Sequence, residues 1–236
     1  MPYLENRGCV VEGIRLLLVD DESLTRETLH DYMSFDPHIE IVGEASDGAR
    51  AVEQVRALRP DVVLMDMQMP KMDGVEATSL IRAEFPEIGV LGLSTFSTDR
   101  YVVPLLRAGA SGYLVKDATP EEMVAAVRAV HDGESILSPQ VTRHVVDGVA
   151  DSVPVAREVD TELLSALTDR ELEVVELLAR GMNNKEIAAE LFITESTVKS
   201  RFVKVMGKLG VRDRVQMLIT SLDRGLVDLG DSAPNR

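Results

Sequence analysis

Four short apolar runs in the first half of the chain each end on a residue that carries chemistry. IRLLLV (14–19) ends at Asp20-Asp21, DVVLM (61–65) at Asp66, IGVLGL (88–93) at Ser94 and SGYLV (111–115) at Lys116. A fifth β-rich run, IEIVGEA, occupies residues 39–45. Amphipathic stretches near 23–34, 48–58, 73–83, 98–107 and 119–131 separate the runs, the last with Met123, Val127 and Val130 on one helical face. Five strands alternating with five helices predict an α/β fold, a doubly wound five-stranded parallel sheet covered on both faces.

In such a sheet the carboxyl ends of the strands converge on one crevice, where ligands bind. Asp20, Asp21, Asp66, Ser94 and Lys116 should therefore meet although sequence separates them widely. Three close carboxylates repel one another unless a cation lies among them. A hard divalent ion of the Mg²⁺ type suits oxygen ligands. Asp66, at the tip of the central run, can act as a nucleophile toward phosphorus. A metal ion and the lysine ammonium would offset charge on a transferring phosphoryl group, and the Ser94 hydroxyl could hydrogen-bond it. Taken singly, a strand-end Asp such as Asp21 or Asp47 is better read as a helix cap or turn residue. The joint pattern carries the inference.

The second half has no strand pattern. Gly133 should stop the fifth helix, and Ser138-Pro139 should open a short one reaching about Gly148. Residues 149–162 are polar, acidic and proline-bearing, as a linker is. Thr168-Asp169-Arg170-Glu171 reads as a capping box opening a helix that ends at Gly181, and Asn183 to Glu186 reads as a second. Phe192-Ile193-Thr194 has the length of a tight turn, with Thr194 capping a helix over about 195–209. On that helix Val198, Phe202, Val205 and Leu209 form one inward stripe. Ser200, Val203 and Lys204 point away from it, flanked by Thr197, Lys199, Arg201 and Lys208. Two helices joined by a tight turn, the second basic on its free face, have the form of a major-groove reader. The rival is a small helical bundle with a charged outer face. The tail GDSAPNR should be disordered.

A net charge of −15 seems to argue against nucleic acid, but it is unevenly spread. Residues 1–137 hold 12 basic and 24 acidic residues, whereas residues 166–236 hold 11 of each. Residues 196–214 carry six basic residues and a single acid, Asp213. The acidic first half would repel DNA at close range, which suggests that at rest it lies near Lys199–Lys208 and occludes them. No stretch approaches the ~18 apolar residues of a membrane span. No secretory signal opens the chain, and its one cysteine, Cys9, cannot make an intrachain disulfide. These features point to the cytoplasm.

LLLVDDESLTR, VVLMDMQMPKMDG, GLSTF and GASGYLVKDATPEE resemble the receiver domain of two-component response regulators, a flavodoxin-like fold. The resemblance places a receiver at residues 14–131 and a helical extension and linker at 132–164. It implies that Asp66 accepts phosphate from a partner histidine kinase. It implies further that Asp20, Asp21, Asp66 and the backbone carbonyl of Gln68 hold Mg²⁺, that Ser94 is the switch hydroxyl and Lys116 the phosphoryl-binding lysine, and that Tyr113 changes rotamer on activation. Ser94 stands where Thr is commoner in this family. Pro104 falls inside the fourth helical stretch, which it should kink or shorten.

LTDRELEVVELLARGMNNKEIAAELFITESTVKSRFVKVMGKLGVRDRVQ is similar to the NarL/FixJ (LuxR-type) helix-turn-helix, placed at residues 165–229. By that resemblance Lys199 and Lys204 meet phosphates or base edges, Thr197 meets backbone, and the final helix, about 213–224, supplies dimer contacts. Arg201 replaces a frequent His. Val203 replaces a frequent polar residue and could meet a thymine methyl. The whole implies a transcriptional regulator that binds double-stranded promoter DNA as a phosphorylation-dependent homodimer. Two other readings stand beside it. One is a DNA-binding regulator whose receiver is a phosphate-indifferent dimerisation platform. The other is an aspartate-nucleophile phosphatase. Such phosphatases carry a second Asp two places after the nucleophile, where this chain has Gln68, and no GxxxxGK[ST] loop is present.

Overall fold

The computed structural model describes residues 13–94, 101–133 and 159–227. The expected helix at 138–148, most of the linker, residues 95–100, Cys9 and the tail lie outside these. In chain order the first part runs β1 (Ile14–Val19), α1 (Ser23–Ser34), β2 (Ile39–Ala45), α2 (Gly48–Leu58), β3 (Val62–Asp66), α3 (Gly74–Glu84), β4 (Gly89–Ser94), α4 (Val102–Arg107), β5 (Gly112–Val115) and α5 (Pro120–His131). All strand pairs are parallel, in the order β2-β1-β3-β4-β5. Every residue of β3 and β4 is buried. That is why both read as unbroken apolar runs rather than alternating ones. Strand order reverses beside β1, so the crevice opens between the carboxyl ends of β1 and β3, where Asp20 and Asp66 stand.

Local chemistry fixes the helix ends. Asp47 caps α2 by accepting the Arg50 N–H at 2.9 Å, the structural role expected of a lone strand-end acid. Thr119 and Glu122 form a capping box at α5 with Pro120 at the first position. Gly133 follows α5 at φ +75°, in the left-handed region that glycine enters at least cost. The place of Pro104 in helix α4 shows why no kink is needed. The described helix begins at Val102, so Pro104 sits in its first turn, where a backbone N–H has no intrahelical acceptor anyway.

The second part consists, among the described residues, of α6 (Thr161–Ala166), α7 (Asp169–Ala179), α8 (Asn184–Glu190), α9 (Glu195–Leu209) and α10 (Arg214–Asp223). Helix α6 departs from the reading of 149–162 as linker. Asp160 caps it through the Leu163 N–H at 3.0 Å and pairs with Arg224 at 3.2 Å. The Asp160 N–H also donates to the Arg224 carbonyl at 3.0 Å. The helical second part therefore starts near residue 160, and its first helix is tied to its last. Both predicted capping boxes form, at Thr168/Glu171 and Asn183/Glu186. The α8–α9 turn places Phe192 at φ +54° with its ring 95% exposed, a costly conformation for a residue with a Cβ.

Candidate functional site

The crevice is assembled from three strand ends. Asp20 follows β1 and is fully buried, while Asp21 beside it is exposed. Asp66 ends β3 and is 4% exposed. Carboxylate oxygens from Asp20, Asp21 and Asp66 lie within 4.8 Å of one another. Lys116, just past β5, closes the group. Its Nζ lies 2.6 Å from Asp20 Oδ2 and 2.8 Å from Asp66 Oδ1. The backbone helps to set these positions. The Lys116 N–H donates to the Ser94 carbonyl at 2.7 Å, and the Glu22 N–H donates to Asp20 Oδ1 at 3.0 Å. The Gln68 N–H donates to Asp66 Oδ2 at 3.3 Å. Gly74 explains the Met-Asp-Gly sequence of the β3–α3 loop: a Cβ there would run into the Asp66 carbonyl oxygen.

Electrostatics at the site follow from burial and like charge. Burial raises the Asp66 carboxyl above its usual range, Lys116 pulls it down in part, and Asp20 and Asp21 push it up again. For Lys116, burial favours the neutral amine, but hydrogen bonds to Asp20 and Asp66 outweigh it and hold the ammonium above its ordinary value. One ammonium faces three carboxylates. The set is hard, oxygen-only and short of positive charge, which fits a Mg²⁺-type ion. Ser94 is 3% exposed at the end of β4, and Tyr113 is 2% exposed on β5.

The candidate DNA surface divides differently from the expectation. Val198, Phe202 and Val205 of α9 are buried as the stripe required, and Leu209 is half-buried. Lys199, Ser200, Val203 and Lys204 are exposed on the opposite side, Val203 by 63%. Thr197 is half-buried, and its hydroxyl lies 2.9 Å from that of the cap Thr194. Arg201 and Lys208 turn toward α7 instead. Arg201 donates to the Arg170 carbonyl at 3.3 Å, and Lys208 pairs with Glu171 at 2.6 Å. Both are within reach of a buried acidic helix end, which outcompetes water for a flexible cation. Arg214 donates to the Met182 carbonyl at 3.2 Å and covers the Phe202 ring. Much of the basic cluster in 196–214 is therefore structural.

Glu171 is the centre of that structural set. The Lys208 ammonium and the Thr168 N–H hold its carboxyl down to about 2. A depressed carboxyl stabilises the fold above its unfolded value of 4.5, and that contribution is lost as pH falls through the folded value. The second domain should lose stability between pH 4.5 and 2. Glu171→Gln should flatten that part of the denaturation profile. An unaltered profile would show that the carboxylate is not the cause.

The receiver was expected to occlude Lys199–Lys208, but Lys199, Lys204 and Lys208 are all exposed. Asp132 and Gly133, at the end of α5, share a cleft of about 250 Å³ with Lys199, Phe202, Val203 and Met206. The receiver part flanks α9 and leaves Val203 and Lys204 open. What the sequence missed is a contact through α10. Arg212 Nη1 donates to the carbonyls of Pro86 (2.7 Å) and Ile88 (3.0 Å), and Arg212 Nη2 donates to Ser111 Oγ at 3.0 Å. Gln216 Nε2 donates to the carbonyls of Leu106 (2.8 Å) and Ala110 (3.1 Å). Arg107 pairs with Asp223 at 2.7 Å. The sequence signal was slight: Gln216 and Asp223 share one face of α10, and Arg212 lies just before its cap Asp213.

A parallel sheet of this order with an acidic pocket and lysine at its strand ends, joined to a helix-turn-helix, defines a receiver-type domain coupled to a DNA-binding domain. The chain belongs to the two-component response regulators with a LuxR-type DNA-binding domain. Residues 16–128 match the family described as response regulator receiver domain, and residues 165–221 match the bacterial regulatory proteins of the luxR family. The transcriptional regulatory protein LnrK of Bacillus subtilis is 39% identical over 222 residues, covering 90% of this chain and 98% of LnrK. The response regulator protein VraR of Staphylococcus aureus is 36% identical over 214 residues, covering 91% and 99%. The crystal structure of a LuxR-family two-component response regulator from Aurantimonas sp. SI85-9A1 is 31% identical with a TM-score of 0.53, covering 57% of this chain and 96% of that one. No helix among the described residues is long and apolar enough to cross a membrane.

Proposed function

We propose that this response regulator receives a phosphoryl group on Asp66 from a sensor histidine kinase in the cytoplasm and binds promoter DNA as a homodimer in consequence. The observation that carries the reading is the convergence of Asp20, Asp21 and Asp66 within 4.8 Å around the Lys116 ammonium. In the transfer, an Asp66 carboxylate oxygen forms a bond to phosphorus as the bond from phosphorus to the kinase histidine breaks. Lys116 stays charged and holds the incoming phosphoryl oxygens, while the Ser94 hydroxyl donates to one of them. Asp20, Asp21, Asp66 and the Gln68 carbonyl would hold Mg²⁺, which offsets charge on the transferring group when bound. Ser94 moves toward the phosphoryl group, and Tyr113 keeps or takes the inside position that this movement vacates. We assign the receiver to 14–131 and the DNA-binding domain to residues from about 160 to 229. Phosphorylation shifts a population of states, so some DNA binding persists without it.

On DNA, α9 would lie in the major groove with Thr197, Lys199, Ser200, Val203 and Lys204 toward it. Arg201 and Lys208 join only by releasing Arg170 and Glu171. Four phosphate contacts per subunit would give a salt slope of roughly −3.6, and each lost contact should reduce it by about 0.9. Lys204→Ala is expected to weaken binding to all sequences and to flatten the slope by that amount per subunit. An unaltered slope would remove Lys204 from the phosphate contacts. Val203 offers an apolar surface where hydrogen bonding is commoner in this family, so a thymine is expected opposite it. Selection of bound DNA with and without a small phosphoryl donor tests the whole reading. Identical yield and sequence in both arms would favour the phosphate-indifferent platform.

A further inference from the structure

We propose that residues 1–12 of this chain lie in the groove beside α1 and α5 and cover the exposed Phe35 ring. Phe35 caps the end of α1 and is 77% exposed. It stands at a groove of about 690 Å³ whose apolar lining continues through Pro37, Pro120, Val124 and Ala125. Helices α1 and α5 pack on each other here. Arg128 of α5 pairs with the buried Asp36 at 2.5 Å. The Asp36 carboxylate is fully engaged, since its other oxygen accepts the His38 N–H at 3.0 Å. Glu121 and Arg128 are exposed at the groove. A concave apolar surface of this size is more than scattered surface hydrophobicity and has the form of a binding site.

The occupant follows from where the chain enters the sheet. The Ile14 N–H donates to the carbonyl of His38, a residue of the groove, at 2.6 Å. The chain therefore joins β1 at the groove's lip. Going back from there, MPYLENRGCVVE places Val11 and Val10 nearest the lip and Leu4 and Tyr3 further along, with Arg7 and Glu5 between them. Apolar side chains suit the lining, and one base and one acid match Glu121 and Arg128. Reach is ample. From Arg128 to Pro120 α5 rises about 12 Å, which roughly four extended residues span. The tether decides between this segment and a second copy of the chain. A short tether gives an effective concentration on the order of 1 mM, well above that of separate chains in dilute solution. Residues 134–158 leave from the same end of α5, but their far end is drawn to Asp160 and its partner Arg224. Residues 1–12 also precede the receiver-family match, which begins at residue 16, so this cover lies outside the shared fold.

Cys9 is the chain's one cysteine and makes the test direct. A disulfide forms only when the two Cα atoms come within about 7 Å, so cross-linking reports where residue 9 lies. In the full-length protein, Ala125→Cys puts a second thiol on the exposed side of the groove. Glu40→Cys instead puts one on the exposed edge strand β2, close to the same chain entry. In oxidised glutathione, the bond from Cys9 to position 125 should form within one chain, at least about tenfold faster than the bond to position 40. Phe35→Ser changes an exposed side chain and leaves the core intact. Added to Ala125→Cys, it should remove most of the preference. Intact-protein mass spectrometry and electrophoresis without reductant read the bond and the number of chains it joins. Equal rates at positions 125 and 40 overturn the proposal, as does a preference that survives Phe35→Ser. Disulfide-linked dimers through position 125 overturn it too, because they seat a second copy in the groove. None of these readouts uses phosphate or DNA, so the outcome is independent of the role proposed for Asp66.

Discussion

Asp66→Asn is expected to reduce phosphoryl incorporation from any donor to background and to hold DNA affinity at its resting value. The substitution is nearly isosteric in a site 4% exposed, so packing around it should survive. What is lost is the nucleophile: an amide oxygen does not form a stable acyl phosphate. Lys116 keeps its 2.6 Å partner Asp20, and the pocket remains closed. A coupling between phosphorylation and DNA binding is typically worth about 5- to 150-fold in affinity, and the variant should lose all of it. Intact-protein mass spectrometry after treatment with a small phosphoryl donor, followed by a DNA-binding titration of the same sample, reads both effects. Full incorporation in the variant would place the acceptor elsewhere. Normal incorporation in the parent protein without any change in DNA affinity would instead point to the phosphate-indifferent platform.

The receiver was legible because its chemistry is tied to its topology. A fully buried parallel strand must be an apolar run, and a crevice residue must follow it, so IRLLLV-Asp20 and VVLM-Asp66 state both the element and the site. Two capping boxes, at Thr168 and Asn183, marked α7 and α8 for a similar reason: orphaned N–H groups demand a particular side chain three residues before a Glu. The stripe of Val198, Phe202 and Val205 likewise could face only inward.

What stayed hidden depended on contacts remote in sequence. Nothing local distinguishes Lys208, which pairs with Glu171 37 positions away, from Lys204, which faces solvent. A basic patch read by composition treats both as DNA ligands. Arg212 was in the same patch, yet it reaches Ser111 across 101 positions. Helix α6 is a short segment tied down by Leu163 and Leu164 packing on the core and by Asp160 meeting Arg224, contacts that no window of neighbouring residues contains. Pro104 was expected to kink or shorten α4; it sits in the first described turn, where neither a kink nor a lost hydrogen bond is needed.

Lys116 offers the sharpest test of whether the acidic pocket is built for a divalent ion. Its ammonium bridges Asp20 and Asp66, whose side chains are 0% and 6% exposed, and its own side chain is 23% exposed. Removing one partner of a buried ion pair leaves uncompensated charge and costs about 3–5 kcal/mol. Lys116→Met, which keeps much of the apolar stem, should therefore lower the melting temperature in metal-free buffer by roughly 10 °C. Added Mg²⁺ binds the folded pocket and not the unfolded chain, so it stabilises both proteins. The variant has more negative charge for the ion to offset, and its melting temperature should rise further with Mg²⁺ than that of the parent. Equal shifts in the two proteins would mean that the ion does not sit among Asp20, Asp21 and Asp66. An unchanged melting temperature in metal-free buffer would mean that the Lys116 bridge is absent in solution, and the geometry on which phosphoryl transfer to Asp66 depends would fall with it.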